Sequence, residues 1–294
     1  MNATLQQQAL HFGDAVAAYL APWKDTLKDF DWPLTPAART TAAAMGFGLG
    51  DGSGGTAATN ALRAAVAARA RACHGLPADT RAARMAALCS FVIRDWGALR
   101  SNRDATIAGY AARYTGAGIA DLSAIASLDD LQAQAGCTFP VQGISSWSKW
   151  LSFVWSDWAL VYDARIAFAL NTIHFLHGVH APAVPVPQGR DRLLSTLDTQ
   201  SLAALGYLQR RGKTCPAAGA HVAVLADWIE DGSVADASAY AYYLAVMRRV
   251  RDVLGYEGPF ALTETEMLLF HVSNKQVVHA LLAALSDTLA ARAA

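Results

Sequence analysis

Apolar positions along this chain recur every three to four residues far more often than every second one, and alanine dominates the runs, with leucine, arginine and methionine between. That spacing lines apolar side chains along one face of a helix, and these residue types are good helix formers. The pattern predicts an all-α protein, with helices at about 3–20, 57–74, 79–97, 103–115, 128–135, 146–155, 163–177, 190–211, 217–230, 235–254, 263–271 and 273–292. No repeat of fixed period runs through it, which argues against a solenoid. Two segments interrupt the pattern. Gly46 to Gly55 reads GFGLGDGSGG, too glycine-rich to hold a helix or strand, and is expected to be a loop. Gly178 to Gly189 reads GVHAPAVPVPQG, where three prolines favour extended backbone. It is the expected crossing between an N-terminal lobe, 1–180, and a C-terminal lobe, 190–294, the latter packed with N-terminal helices.

With 294 residues and 53% hydrophobic content, the chain can bury one large core or two smaller ones. Lys+Arg and Asp+Glu both total 24, so there is no global attraction to nucleic acid or to an acidic membrane. Any such binding must come from local clusters. One candidate is Arg63, Arg69, Arg71, Arg81, Arg84, Arg94, Arg100, Arg103 and Arg113, set against Asp79, Asp95 and Asp104. Such a run could contact phosphates, although a solvated helical face is the commoner explanation. The four cysteines, Cys73, Cys89, Cys137 and Cys215, are far apart and form no C-x-x-C pair, so a reducing, cytoplasmic setting is expected. Met1 to His11 lacks a basic segment leading into an apolar one, unlike a secretory signal. The most apolar stretch, Trp147 to Leu176, is broken by Lys149, Asp157, Asp163 and Arg165, so it is expected to be core and not a membrane span. The only glutamates are Glu230, Glu257, Glu264 and Glu266, so carboxylate chemistry in the first 229 residues must use aspartate.

Two motifs carry little weight. Gly50, Gly52 and Gly55 satisfy G-x-G-x-x-G, but no strand precedes them and no βαβ unit follows, so no dinucleotide cofactor is expected. His174, His177 and His180 form H-x-x-H-x-x-H, the first two sharing a helix face as metal ligands would. The third falls beyond the predicted helix, and a helix C-terminus attracts histidine for dipole reasons alone. No metal is expected, and a metal-dependent helical hydrolase using His174 and His177 stays only as an alternative.

The informative stretch runs from Gly143 to Leu170. Pro140 and Gly143 make a turn, Ser145 or Ser146 can cap a helix, and Lys149 then falls within its first two turns. A positive helix end and apolar neighbours such as Trp147 and Trp150 both disfavour a charged amine, which is the setting of a nucleophilic lysine. Asp163 opens the segment Ala164 to His177. As its N-cap, the carboxylate would accept backbone N–H bonds and stay ionised against an apolar wall. A fixed anion suits an oxocarbenium-like centre at a breaking glycosidic bond. By spacing alone, a simple capping role for Asp163 and a snorkelling role for Lys149 remain open.

Ser145-Ser-Trp-Ser-Lys149, followed by an apolar stretch ending in Tyr162-Asp163-Ala-Arg165-Ile-Ala-Phe-Ala-Leu170, resembles the lysine-and-aspartate segment of bacterial 8-oxoguanine-glycosylase-like proteins of the helix-hairpin-helix DNA glycosylase superfamily. Arg94-Asp95-Trp96-Gly97 with Asn102, and Glu264-Thr-Glu266-Met-Leu-Leu-Phe270, are similar to recurrent patches of that group. Ser145, Ser146 and Trp147 stand where the group's hairpin turn carries glycine, a hydrophobic residue and glycine. The resemblance implies two helical lobes with a DNA-binding cleft, Asp163 as the essential carboxylate and Lys149 as a nucleophile toward the sugar. It implies Trp96, Asn102, Ser146, Trp147, Trp150, Tyr162 and Arg165 as residues that hold or wedge the flipped nucleotide. The implied activity is excision of a modified base from double-stranded DNA by a monomer without cofactor, with associated lyase chemistry at the abasic site where Lys149 attacks. Oxidised guanine and a phage-type cytosine such as glucosylated hydroxymethylcytosine are both candidate bases, the second implying antiphage defence. A non-enzymatic helical DNA-binding protein is the other alternative.

Overall fold

A computed structural model of the chain describes residues 1–48, 54–187, 197–214, 216, 217 and 221–293. It is helical throughout, with no strand among the described residues. In chain order the α-helices are α1 (Ala3–Leu20), α2 (Pro36–Ala44), α3 (Thr56–His74), α4 (Ala78–Ser90), α5 (Asp104–Thr115), α6 (Leu128–Ala135), α7 (Ile144–Val154), α8 (Ala164–Leu176), α9 (Thr199–Arg210), α10 (Val222–Glu230), α11 (Asp236–Leu254), α12 (Ala261–Val272) and α13 (Val278–Ala293). The helix boundaries follow local chemistry. Side chains of Asn2, Thr35, Ser127, Asp163, Asp198 and His221 each accept a backbone N–H in the first turn of the helix they precede.

One helix escaped the periodicity: α2 buries only Ala38 and Ala42, so its apolar face is written in alanine and does not stand out from an alanine-rich sequence. The predicted helix at 79–97 is α4 continued by a π-helical turn, Phe91–Trp96, and a second π turn, Ser273–Val277, joins α12 to α13. Such turns insert a residue into the helical ladder and are frequent at functional sites. Residues 190–196 of the predicted helix at 190–211 lie outside the described residues, as do 218–220 of that at 217–230; the described parts begin at Thr199 and Val222. Half of the loop predicted at Gly46 to Gly55, residues 49–53 with Gly50 and Gly52, lies outside them too; Gly55 is the N-cap of α3.

One hydrophobic cluster runs from Ala9 in α1 to Leu281 in α13. Helix α1 lies against α11, close enough at Gly13 that a Cβ there would stand 2.6 Å from Arg249 Cβ and 2.9 Å from the Val246 carbonyl oxygen. Helix α8 is the central rod, buried continuously from Ile166 to His174 and in contact with α1, α9, α12 and α13. After it, the proline-containing run is fixed to its neighbours. Val184 exchanges backbone hydrogen bonds with the Asn171 side chain at 2.8 and 2.9 Å, and Ala183 exchanges them with Gly232 and Val234 at 2.8 Å. The continuous helical stretch Ala261–Ala291 is long and apolar enough to cross a bilayer, but α12 is a core helix, buried at nine of its twelve positions, and core helices give the same signal.

Candidate active site

The site begins with a buried, irregular segment. Residues 158–163 carry no regular structure, yet their backbone groups are met by side chains from three helices, as buried polar backbone requires. Tyr240 Oη of α11 donates to the Leu160 carbonyl at 2.8 Å and accepts the Leu160 N–H at 3.2 Å. Tyr243 of the same helix donates to the Val161 carbonyl at 2.8 Å, while Glu266 of α12 accepts the Val161 N–H at 2.6 Å. Ser148 of α7 accepts the Tyr162 N–H at 2.9 Å. These contacts fix where α8 starts.

Asp163 is the N-cap of α8, as its position predicted: its Oδ1 accepts the Arg165 and Ile166 N–H groups at 3.1 and 3.2 Å. Its Oδ2 lies 3.3 Å from Lys149 Nζ. Burial alone would raise the carboxyl pKa. The Lys149 ammonium, the Ile166 amide and Arg165 outweigh it and hold Asp163 below its ordinary value, so it is ionised at neutral pH. Lys149 differs from the expectation of an amine left among apolar neighbours. Its Nζ also donates to the Ser145 carbonyl at 3.0 Å, so two oxygens orient it, and its stem packs on Gly97, where a Cβ would stand 2.7 Å from Lys149 Cδ.

Helix α7 owes its start to Gly143, whose φ of +76° is a left-handed conformation that glycine adopts without strain. A Cβ at this position would meet the Tyr110 hydroxyl at 2.3 Å, so geometry and space both exclude a side chain. Ser145, Ser146 and Trp147 sit in the first turn of α7 and not in the connection before it, which is formed by 136–143.

Both charged groups face a cavity of about 730 Å³, within the range of roughly 300–1,000 Å³ common for ligand sites. The Asp163 side chain is 20% exposed there and Lys149 5%. Asn102, Ser146 and Arg165 line the same cavity, with Asn102 Nδ2 donating to Ser146 Oγ at 3.1 Å. Ala98, in a left-handed conformation (φ 54°) directly after the π turn and Gly97, forms part of its rim. Among the described residues the charged groups of the lining are Lys149, Arg165, Asp163 and Asp236, two of each sign. Arg100 and Arg103 are exposed and neighbour the rim residues Ser101 and Asn102 in sequence.

A second, much smaller chamber of about 30 Å³ shares Trp32, Lys149, Asp163 and Phe270 with the groove. Trp96 is one of its walls. Three other aromatic residues expected at the site are core residues instead. Trp147 is buried against Tyr240 with its Nε1 donating to the Pro140 carbonyl at 3.1 Å, Trp150 is fully buried, and Tyr162 packs on Tyr243 while donating to the Pro185 carbonyl at 2.6 Å. They lie on the inward faces of the segments whose other faces carry Lys149 and Asp163. Nothing in the sequence pattern points to Trp32, which is distant from Lys149 and Asp163, and Arg63 enters only through the basic run; Glu266 and Phe270 enter only through the resemblance of their patch.

The basic run on α3 to α5 is not one surface. Arg63 is 2% exposed and paired with Glu266, while Arg94 reaches Asp104 and the Asn102 carbonyl. The histidines do not converge on a metal. His174 Nε2 lies 2.6 Å from the Ala181 carbonyl, His177 packs on Tyr19 and His180 on Tyr207. Among the described residues no group of three or more His, Cys, Asp or Glu could hold a metal ion. Compared with models of known protein families, with curated proteins and with solved structures, the chain matches none.

Proposed function

We propose that this chain is a DNA glycosylase of the helix-hairpin-helix type, with α6, the connection 136–143 and α7 as the hairpin and α8 as the helix that carries the catalytic carboxylate. The observation behind this reading is an ionised Asp163, held by two amides of a helix N-terminus and paired with Lys149, at the foot of a cavity large enough for an extruded nucleotide. A carboxylate fixed in this way needs no reorganisation to stabilise positive charge, which is what the sugar develops as its C1′–N bond breaks.

In the proposed reaction the target nucleotide leaves the stack and its sugar lies against Asp163. Asp163 accepts a proton from Lys149, and the freed amine attacks C1′. The C1′–N bond breaks, its electron pair leaves with the base, and the base takes up a proton. The nitrogen lone pair of the Lys149 adduct then forms a C1′=N Schiff base as the C1′–O4′ bond breaks and O4′ takes the proton held by Asp163, and β-elimination of the 3′-phosphate from this Schiff base gives the lyase activity. With water as nucleophile the same carboxylate accepts the water's proton and an abasic site results. The described lining of the groove carries two charges of each sign, and phosphate attraction is assigned to its surroundings, where Arg100 and Arg103 are exposed.

The deciding experiment is incubation with unmodified, oxidised and phage-modified DNA followed by mass spectrometry of free bases. Release of a base by the wild type and not by Asp163→Asn supports the proposal. No released base from any of these DNAs overturns it.

A further inference from the structure

The small chamber behind the Lys149–Asp163 pair holds a charged group whose hydrogen bonding is incomplete. Arg63 of α3 and Glu266 of α12 both line it and form a buried ion pair at 2.9 Å, exposed by only 2% and 4%. The guanidinium lies over the rings of Trp96 and Phe153, at 5.9 and 5.6 Å, and only Nη2 reaches the carboxylate. Arg63 Nε and Nη1 are buried and have no acceptor among the described residues. Buried donors of this kind are rare, because each has given up water without replacing it.

The acceptors around them are already engaged. Glu266 Oε1 takes the Val161 N–H and Oε2 takes Arg63; Asp163 Oδ1 takes two backbone amides and Oδ2 takes Lys149. The chamber therefore offers donors in excess. Its volume of about 30 Å³ suits one water-sized group. Besides Lys149 and Asp163, Trp32 and Phe270 line both this chamber and the groove, as a half-buried edge-to-face pair with centroids 5.1 Å apart. Trp32 is held by its Nε1 donating to the Trp96 carbonyl at 3.0 Å.

We infer that this chamber reads the excised base: an oxo oxygen enters it to accept from Arg63, while the ring lies against Trp32 and Phe270 in the groove. The inference rests on the glycosylase proposal and narrows its substrate to bases that can turn a carbonyl towards Arg63, which excludes adenine and admits oxidised guanine. An exocyclic amine in the same place would set N–H against N–H, so the amino edge of cytosine or adenine is rejected.

Free bases test this without any bond cleavage. Hypoxanthine and adenine differ in carrying an oxo or an amino group at one ring carbon, and adenine has no other carbonyl to offer. In ligand-observed NMR titrations of the full chain, hypoxanthine should bind at least about tenfold more tightly than adenine, the ratio expected of one charge-assisted hydrogen bond. In the Arg63→Met, Glu266→Gln double variant, which removes both charges together and strands neither, the preference should vanish. Equal binding of the two bases, no binding of either, or a preference that survives in the double variant would each overturn the inference. The wild-type comparison decides by itself where the double variant does not fold. Failure of the glycosylase proposal shows separately, as absence of released base from DNA with the oxo preference intact.

Discussion

Ser148 and Tyr162 exchange two hydrogen bonds, the Tyr162 N–H donating to Ser148 Oγ at 2.9 Å and the Ser148 hydroxyl lying 3.3 Å from the Tyr162 carbonyl. Each is the immediate predecessor of a candidate catalytic residue, so this contact sets Lys149 beside Asp163. Both partners are buried, and the registration of the two charged groups depends on a neutral pair that takes no part in chemistry.

Ser148→Ala should therefore lower both stability and activity. It leaves the Tyr162 N–H without an acceptor, a loss of about 1–3 kcal/mol, measurable by urea denaturation. Ser152→Ala is the control, since Ser152 Oγ bonds only to the Lys149 carbonyl of its own helix at 2.9 Å and should cost less. Equal effects of the two substitutions would contradict a registering role for Ser148.

Asp163→Asn should keep the helix cap, because asparagine caps as well as aspartate, but it leaves the buried Lys149 ammonium without its counter-ion, so stability near neutral pH should fall by about 1–3 kcal/mol. Base release should fall about 100-fold or more with the loss of the fixed charge. The carboxyl is held below its ordinary value by Lys149, the Ile166 amide and Arg165 against the opposing effect of burial. A depressed carboxylate stabilises the fold above its unfolded pKa of about 3.9 and loses that contribution as pH falls through the folded value. Unfolding free energies from pH 5 to pH 2 should decline through this group in the wild type and not in the variant.

Lys149→Gln separates the two nucleophiles. Borohydride should trap the wild-type chain covalently on DNA containing its substrate base and should not trap the variant. Excision that persists in the variant assigns base release to water. A covalent adduct formed equally well by the variant would remove Lys149 from the proposed chemistry.

Gly97→Ala offers a test that removes no polar group. The added methyl would stand 2.7 Å from Lys149 Cδ and 2.8 Å from the Ile93 carbonyl, so the lysine stem must shift. Activity should drop by an order of magnitude or more, since misplacement by about 1 Å costs on the order of 100-fold. Ala substitution at Gly109, where a Cβ meets nothing within 4 Å, should leave activity unchanged.

His174 gives the chain a second, milder acid sensitivity. It is fully buried, and burial, with Arg210 adding to it against the Ala181 hydrogen bond, pushes its pKa down from 6.5 to about 4. The folded state thus prefers the neutral ring. Stability should be complete above pH 6.5 and fall by roughly 3 kcal/mol as pH drops toward 4, where the folded ring protonates. His174→Gln should flatten that slope in unfolding experiments, and an unchanged slope would assign it elsewhere.

The helical class and most helix limits were legible because they depend on spacing and on short-range capping. Asp163 is an example: a carboxylate just before an apolar helical run has backbone amides within reach wherever the rest of the chain lies. The pairing of Lys149 with Asp163 was readable only as a resemblance, because the thirteen intervening residues could have folded in many ways. What joins the two is a network of Ser148, Tyr240, Tyr243 and Glu266 around residues 160–162, contributed by α7, α11 and α12.

Sequence by itself determined the elements, since periodicity and capping act within one or two helical turns. Tertiary structure decided which aromatic residues are core and which are lining. Trp147, Trp150 and Tyr162 turn inward, while Trp32 and Phe270, 238 positions apart, meet at the mouth of the chamber. Tertiary structure also turned Arg63 from an apparent surface cation into a buried donor. The physical reason is the same in each case: a side chain's chemistry follows from its exposure and its partners, and those come from helices brought together by packing.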